Sequence, residues 1–425
     1  MILYQIMNKL VLNKNFFYYS GELYGEKIPL KIIADKFGTP TFVYSRKQIQ
    51  ENLKKFLQVF GRPHLVAYAM KANSNRSILR IVRQMGAGVD VTSGGEIYRA
   101  LNAGFSPDKI VYAGIGKTSP EIEYALRLGI KMFNVESWPE MLNISRIAVR
   151  KKKIAPVAWR INPVVQVHTH SYITTGTELV KFGIHHSQAL DFYLRARRLP
   201  GIKIVGVHCH IGSQITEISP FVAAAKKIAR LLKQLAGVGI KLKYVDMGGG
   251  LGIRYCRENP PQPAELFSAY KKIFAGLSVN FIVEPGRFIV GNSGILLTRI
   301  IYFKKTRAKN FLIVDAGMND LIRPTLYNAY HEIMPLNLEK EKITADVVGP
   351  ICETGDFLGK NRKLEISPQE PSGKLLAVFG AGAYGWAMSG QYNSRKRAAE
   401  VLIDGEKIKL IRRRETNADL VAGEK

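Results

Sequence analysis

Cysteine is scarce in this chain of 425 residues: Cys209, Cys256 and Cys352 are all there are. At least one stays unpaired in any scheme, so a disulfide framework is a poor account of the fold and a reducing cytosol fits better. Long apolar runs are also missing, and none reaches the roughly 18 residues needed to cross a bilayer. No signal peptide is read at the N-terminus. Lys9 and Lys14 stand near apolar residues there, but Asn and Tyr interrupt the stretch and no small-residue cleavage site follows. Acidic residues are few: 34 against 62 Lys and Arg, a net charge of +28. Internal repeats, low-complexity segments and long linkers are absent as well.

The basic excess raises nucleic acid, a membrane surface or small anions as partners. The cations are scattered, however. Lys151-Lys152-Lys153, Arg395-Lys396-Arg397 and Arg412-Arg413-Arg414 lie far apart, and no aromatic residues are interleaved with them. A generally basic, solvated surface is the simpler account, and neither nucleic acid nor membrane is expected as a partner. Hydrophobic content of 46% supports a real core, and the length suggests two domains.

What is present begins with Val66-Ala67-Tyr68-Ala69-Met70-Lys71-Ala72-Asn73. The pattern predicts a buried strand that delivers one amine at its C-terminal tip, with a helix starting near Asn73 or Ser74. An amine against apolar walls loses part of its preference for charge and becomes a nucleophile toward carbonyls. A lysine simply leaving the strand into solvent is the alternative. Further apolar runs follow at Val89–Thr92, Ile110–Ala113, Met132–Val135, Val157–Ile161, Ile204–His210, Lys243–Met247 and Phe281–Val283, with helix-period segments between them. Eight such strands over about 220 residues predict a (β/α)8 barrel rather than a doubly wound open sheet. After Gly291 the helices drop out. Ile295–Tyr302, Phe311–Val314, Ile343–Val348, Leu375–Val378 and Val401–Ile411 read as strands, the last broken by an Asp404-Gly405 hairpin turn. The expected division is a barrel over residues 40–290 and a mostly β domain from residues 1–39 and 291–425, with a short helix at Leu30–Phe37 and a strand at Thr41–Tyr44.

Barrel active sites lie at the C-terminal strand ends. Those ends carry Lys71, Asp90, Asn134 with Glu136, and Arg160 with Asn162. The last three carry His208-Cys209-His210-Ile211-Gly212-Ser213-Gln214, Asp246-Met247-Gly248-Gly249-Gly250 and Glu284-Pro285-Gly286-Arg287. The glycine run suits either a tight turn or a phosphate cradle, with Ser213 and Arg287 as added donors. His208 and His210 share a strand face, but no third ligand of suitable spacing is found and no metal is expected. For Glu284 an ion pair with Arg287 competes with a carboxylate facing a pyridine nitrogen. An amine, a phosphate loop, a flat imidazole and a carboxylate together match the four parts of pyridoxal 5'-phosphate.

At the level of motifs the chain resembles the barrel-type, alanine-racemase-like pyridoxal-phosphate decarboxylases, in their diaminopimelate decarboxylase branch, from about Gly38 to Arg414. The likeness rests on Tyr68-Ala-Met-Lys71-Ala-Asn, Asp90-Val-Thr-Ser-Gly-Gly-Glu96, His208-Cys-His-Ile-Gly-Ser-Gln214 and Gly248-Gly-Gly-Leu-Gly252. Glu284-Pro-Gly-Arg287, Asp315-Ala-Gly-Met-Asn-Asp-Leu-Ile-Arg-Pro324, Gly349-Pro-Ile-Cys-Glu-Thr-Gly-Asp356 and Gly382-Ala-Tyr-Gly385 extend it.

The resemblance implies a cytoplasmic enzyme whose Lys71 holds the cofactor covalently, whose His210 stacks on its ring and whose Glu284 bonds its nitrogen. Ser213, Gly249, Gly250 and the Pro285–Arg287 backbone would hold the phosphate. Arg287, Arg323 and Tyr327 would bind the distal end of an amino-acid substrate. Cys352, as proton donor, and Glu353 would reach in from the second subunit of a homodimer, with Tyr384 touching cofactor and substrate. A decarboxylase or racemase of another basic amino acid, such as ornithine, and a non-catalytic cofactor-binding regulator are the competing expectations. Gly380, where relatives often carry a more polar residue, and Trp386, where Phe is frequent, are the departures. Neither is expected to touch a named role.

Overall fold

The structure, a computed structural model, describes residues 14–166 and 181–425. Lys9 and the rest of residues 1–13 lie outside them. The chain divides into two compact units. One comprises Asn52–Gly252 and Asn259–Phe288; the other comprises Met1–Glu51, Ile253–Glu258 and Ile289–Lys425. Residues 40–51 and Ile253–Glu258 thus fall with the β-rich unit.

The first unit is a closed barrel of eight parallel strands. They run Leu65–Ala69, Gly88–Val91, Ile110–Tyr112, Met132–Val135, Ala155–Asn162, Ile202–His208, Tyr244–Asp246 and Asn280–Val283. Closure is visible in the register. Phe133, Asn134 and Val135 of the fourth strand face Val157, Ala158 and Trp159 of the fifth. Ile282 and Val283 of the eighth face Leu65 and Val66 of the first. A doubly wound sheet would leave two open edges, so that alternative is overturned.

Side chains from different strands fill one interior cluster: Ala67, Val111, Met132, Ala158 and Ile282. Helices cover the outside with one apolar face each. Arg76–Gln84 buries Ile78, Leu79, Ile81 and Val82, and Ser219–Gly237 buries Phe221, Ala225, Ile228, Leu232 and Leu235 among others. No helix among the described residues is long and apolar enough to cross a membrane.

The second unit is mostly β. Its sheet is organised by the 12-residue strand Gly294–Lys305, which pairs antiparallel with Thr41–Ser45, Leu375–Val378 and Asn310–Val314. Thr41–Ser45 is also paired, in parallel, with Ala399–Asp404. The expected hairpin forms between Ala399–Asp404 and Lys407–Arg412, with Gly405 at a φ of +63°. Strand Phe357–Leu364 was not read from the sequence. It is an edge strand, FLGKNRKL, whose charges keep the open edge solvated and hide the alternation. Trp386, named as a departure, is covered on its ring by Arg397 at 3.6 Å and by Arg412 at 3.7 Å.

Ile282 is fully buried in the barrel interior. Ile282→Ala is therefore expected to cost about 2–5 kcal/mol, because a closed ring of strands cannot collapse onto the gap. Urea unfolding monitored by tryptophan fluorescence measures it.

Candidate active site

The first strand ends at Ala69, one residue short of the expected Met70, and Met70–Ala72 then makes a single tight helical turn carrying Lys71. The next helix begins at Arg76, not at Asn73 or Ser74. Asn75 caps it, its side-chain oxygen accepting the Ser77 N–H at 2.9 Å. Asn73 is spent on the turn before the helix: its side chain accepts the Asn75 N–H and its carbonyl takes the Tyr68 hydroxyl proton.

The expected apolar walls around the amine are not what the structure shows. Lys71 Nζ is 3.2 Å from Asp90 Oδ2, and its side chain is 38% exposed while Asp90 is wholly buried. The register explains the pairing, since Ala69 lies opposite Asp90 on the neighbouring strand. Burial, together with the Glu284 carboxylate, raises Asp90 above the ordinary carboxylate range, and Lys71 opposes that shift.

The glycine run proves to be a close-approach device. A Cβ on Gly249 would lie 2.2 Å from the Glu284 carbonyl, and one on Gly250 would lie 2.4 Å from the Gly212 carbonyl. Gly248 and Gly250 also have φ of +64° and +106°. The loops after strands six, seven and eight therefore meet backbone to backbone. Gly248 O accepts the Glu284 N–H at 2.8 Å, and Gly250 O accepts the Ile215 N–H at 2.9 Å. Gly286 is pressed onto the first strand in the same way, with Ala69 and Ala72 3.1 Å from where its Cβ would be. Pro285 O meanwhile takes the Ala69 N–H.

His210 is fixed to this crossing because its Nδ1 accepts the Gly249 N–H at 3.2 Å. Burial, and then the Lys71 and Arg160 cations, hold its pKa well below the usual value of 6.5, so the ring is neutral. Arg287 Nη2 donates to Ser213 Oγ at 3.0 Å, which unites the two donors expected around a phosphate.

Beneath them lies a group that the sequence did not bring together. Asn134 Nδ2 donates to Asp246 Oδ2 at 3.2 Å and to Glu284 Oε1 at 3.3 Å. His208 Nε2 is 3.4 Å from Glu284 Oε2. The close neighbours of Glu284 thus include His208 and Asn134. Glu136 and Arg160 form a buried ion pair at 2.6 Å, and Glu136 also accepts the Gly183 N–H. Cys209 is buried, which pushes its thiol up to about 12 and leaves it inert.

The other expected residues belong to the β-rich unit. Arg323 opens the short helix Arg323–Tyr327 and is buried. Its Nη1 donates to the Tyr255 hydroxyl at 2.9 Å and to His331 Nε2 at 2.8 Å, since His331 Nδ1 must donate to the Phe379 carbonyl. Tyr255 and His331 were missed, and nothing in their sequence surroundings marks them. Gly380, expected to touch no named role, has a φ of +68°, and a Cβ there would lie 2.8 Å from the Tyr255 ring. It belongs to the packing around Arg323.

Cys352 and Glu353 are exposed on the loop after Gly349. Asp356 shapes that loop, accepting N–H groups from Ile351 at 2.7 Å and Met318 at 2.6 Å. Tyr384 holds a φ of +58°, which is rare for a side-chain-bearing residue. Tyr327 is half-buried at the end of its helix.

Comparison with known proteins fits this geometry. The sequence pattern described as pyridoxal-dependent decarboxylase, pyridoxal binding domain, matches residues 46–291. A diaminopimelate decarboxylase of Pseudomonas fluorescens is 47% identical over 412 residues, 96% of this chain and 98% of that one. One of Aquifex aeolicus is 48% identical over 400 residues, 94% of each. The chain belongs to the diaminopimelate decarboxylase family. A crystal structure of the family from M. jannaschii, in co-complex with L-lysine, superposes with a TM-score of 0.93 at 37% identity, covering 98% of both chains.

The family's cofactor is pyridoxal phosphate, and the barrel residues fit it. Three glycines leave a cradle that any Cβ would fill, an amine stands at its rim, and a buried carboxylate lies at its floor.

The neutrality of His210 has a pH consequence. Its folded value lies below the 6.5 of the unfolded chain, so the stability it contributes is complete above that pH. Below pH 6.5 the unfolded chain takes up a proton that the folded ring refuses, and stability falls by up to about 1.4 kcal/mol per pH unit. Urea midpoints between pH 5 and 8 are expected to show this slope, and His210→Asn is expected to flatten it.

Proposed function

We propose that the protein removes CO2 from meso-2,6-diaminopimelate to give L-lysine, the closing step of lysine biosynthesis, as a cytoplasmic homodimer. The observation that carries the reading is the convergence of Lys71, His210, Glu284 and the glycine crossing at one end of the barrel, in a chain with full-length relatives of that name. When bound, pyridoxal phosphate supplies an electron sink for the pair left behind as CO2 departs.

The chain's own residues do the rest. Lys71 would hold the cofactor by its amine, and Asp90, 3.2 Å away, orients that amine. His210, neutral and fixed at Nδ1 by the Gly249 N–H, would stack on the cofactor ring. Glu284 would meet the ring nitrogen, where its negative charge would favour a proton. Ser213, Gly249, Gly250, Pro285, Gly286 and the Arg287 backbone would hold the phosphate.

The substrate is recognised by its far end, which bears a second carboxylate and a second amine. Arg287 and Arg323 are assigned to the carboxylate, and Tyr327 lies beside it. Arg323 is well suited because Tyr255 and His331 already fix its guanidinium, so little side-chain freedom is lost on binding. Glu353 pairs the amine. Ornithine lacks the second carboxylate and so could not meet the two guanidinium groups as the substrate does. Cys352 returns a proton to the carbon that lost CO2, and Tyr384 borders cofactor and substrate. Cys352 and Glu353 are exposed in the single chain, in keeping with service in the partner's site.

Purified protein is expected to release CO2 from meso-diaminopimelate and to show the visible absorption band of a lysine-bound cofactor. Equal turnover of ornithine would overturn the substrate assignment. Lys71→Ala is expected to remove both the band and the activity. Mixing inactive Lys71→Ala and Cys352→Ala dimers, with exchange of subunits, is expected to restore about a quarter of wild-type activity, since half the dimers then carry one intact site. No recovery despite verified exchange would place Cys352 and Lys71 of one chain in the same site.

A further inference from the structure

Asp246 has no part in the scheme above, yet it is among the most deeply buried charged side chains of the barrel. It has no solvent exposure, and Glu284 beside it has 4%. One amide nitrogen, Asn134 Nδ2, reaches an oxygen of each. One ring nitrogen of His208 and one carboxylate oxygen each of Asp246 and Glu284 all lie within 4.8 Å of one another. Two carboxylates at that spacing in a buried site do not both ionise, so the pair keeps one proton between them.

Which member keeps it follows from the surroundings. The groups that act on the pair are Lys71 beyond the first strand and His208 and His210 at the end of the sixth; Asp90 on the second adds a further acid. His208 is on the Glu284 side at 3.4 Å. Glu284 also feels the Lys71 charge, and although burial works to raise its pKa, these neighbours hold it well below the usual carboxylate range. Asp246 is raised by burial and by Glu284, against which it has only the Gly248 N–H at Oδ1 and the Asn134 amide. The Gly248 N–H anchors Oδ1, and Oδ2 is the oxygen that shares Asn134 with Glu284.

We propose that Asp246 is held as the neutral acid and donates its proton to Glu284, so that the buried pair presents a single negative charge to the ring nitrogen. The proposal rests on the reading that Glu284 faces that nitrogen. Asp246 is then a positioning residue. It restricts Glu284 to one rotamer and fixes the charge of the floor at one, matched to one positive charge on a protonated ring. Asn134 acts with it as the fixed donor between the two acids, and its own backbone carbonyl is held by Lys117 at 2.7 Å.

Infrared spectroscopy of the wild-type protein at neutral pH tests the first part directly. A protonated-carboxyl C=O band that shifts in D2O and disappears in Asp246→Asn is expected. A wild-type spectrum with no such band overturns the proposal whether or not the variant folds. The second part is read in holoenzyme carrying cofactor labelled with nitrogen-15 in the ring. Asp246→Asn, a neutral donor of the same shape, is expected to keep the nitrogen-15 shift of a protonated ring. Asp246→Leu is expected to lose it and to turn over at least about tenfold more slowly than Asp246→Asn. A ring signal that is lost equally in both variants would mean that Asp246 acts as a charge and would overturn the proposal. Glu284→Gln separates the two readings: an unmoved ring signal in that variant sinks the assignment of Glu284 itself, whatever Asp246 does.

Discussion

Burying a carboxylate costs several kcal/mol unless its charge is met, and the barrel buries two, side by side, at the closed end of the cradle. Much of the surrounding structure answers that cost. Asn134 is turned so that its amide, not its carbonyl, enters the gap between Asp246 and Glu284. His208 fills the far side of Glu284. The loop after strand seven turns at Gly248 so that its N–H can reach back to Asp246. The same turn brings Gly249 against the Glu284 backbone and under His210. Acid placement and cofactor cradle are thus one piece of geometry, and neither can be changed alone.

The parts of this arrangement that follow from a strand end were legible in the sequence. A residue that closes an apolar run in a parallel barrel points to the catalytic face, which is why Lys71, Asp90, Asn134, Asp246 and Glu284 were found. Their partnerships were not legible, because these depend on register between strands far apart in sequence. Asp90 meets Lys71 through the pairing of Ala69 with Asp90, and Asn134 meets Asp246 across 112 residues. The glycine run was ambiguous for a related reason: a tight turn and a close approach ask for the same residue, and here Gly248 and Gly250 serve both ends. Tyr255 and His331 were invisible since neither ends a strand nor repeats with any period.

The β-rich unit shows a second way of fixing a cation. Where Lys71 is held by an acid, Arg323 is held by neutral acceptors, a phenol oxygen and an imidazole nitrogen. Such partners orient a guanidinium through its N–H groups while carrying no charge of their own. Gly380 permits the arrangement, because any side chain there would press on the Tyr255 ring.

The strand Thr41–Ser45 lies between Gly294–Lys305 and Ala399–Asp404. On a ribosome it emerges early but cannot find either neighbour until most of the chain has been made. The barrel, whose strands all lie between residues 65 and 283, has its full complement before that. The order of synthesis therefore lets the cofactor-binding unit fold first on local, sequential contacts. A buried five-residue strand of high apolar content waits unpaired until Gly294–Lys305 emerges and half-paired until residue 404 follows, a demand that the topology places on the cell.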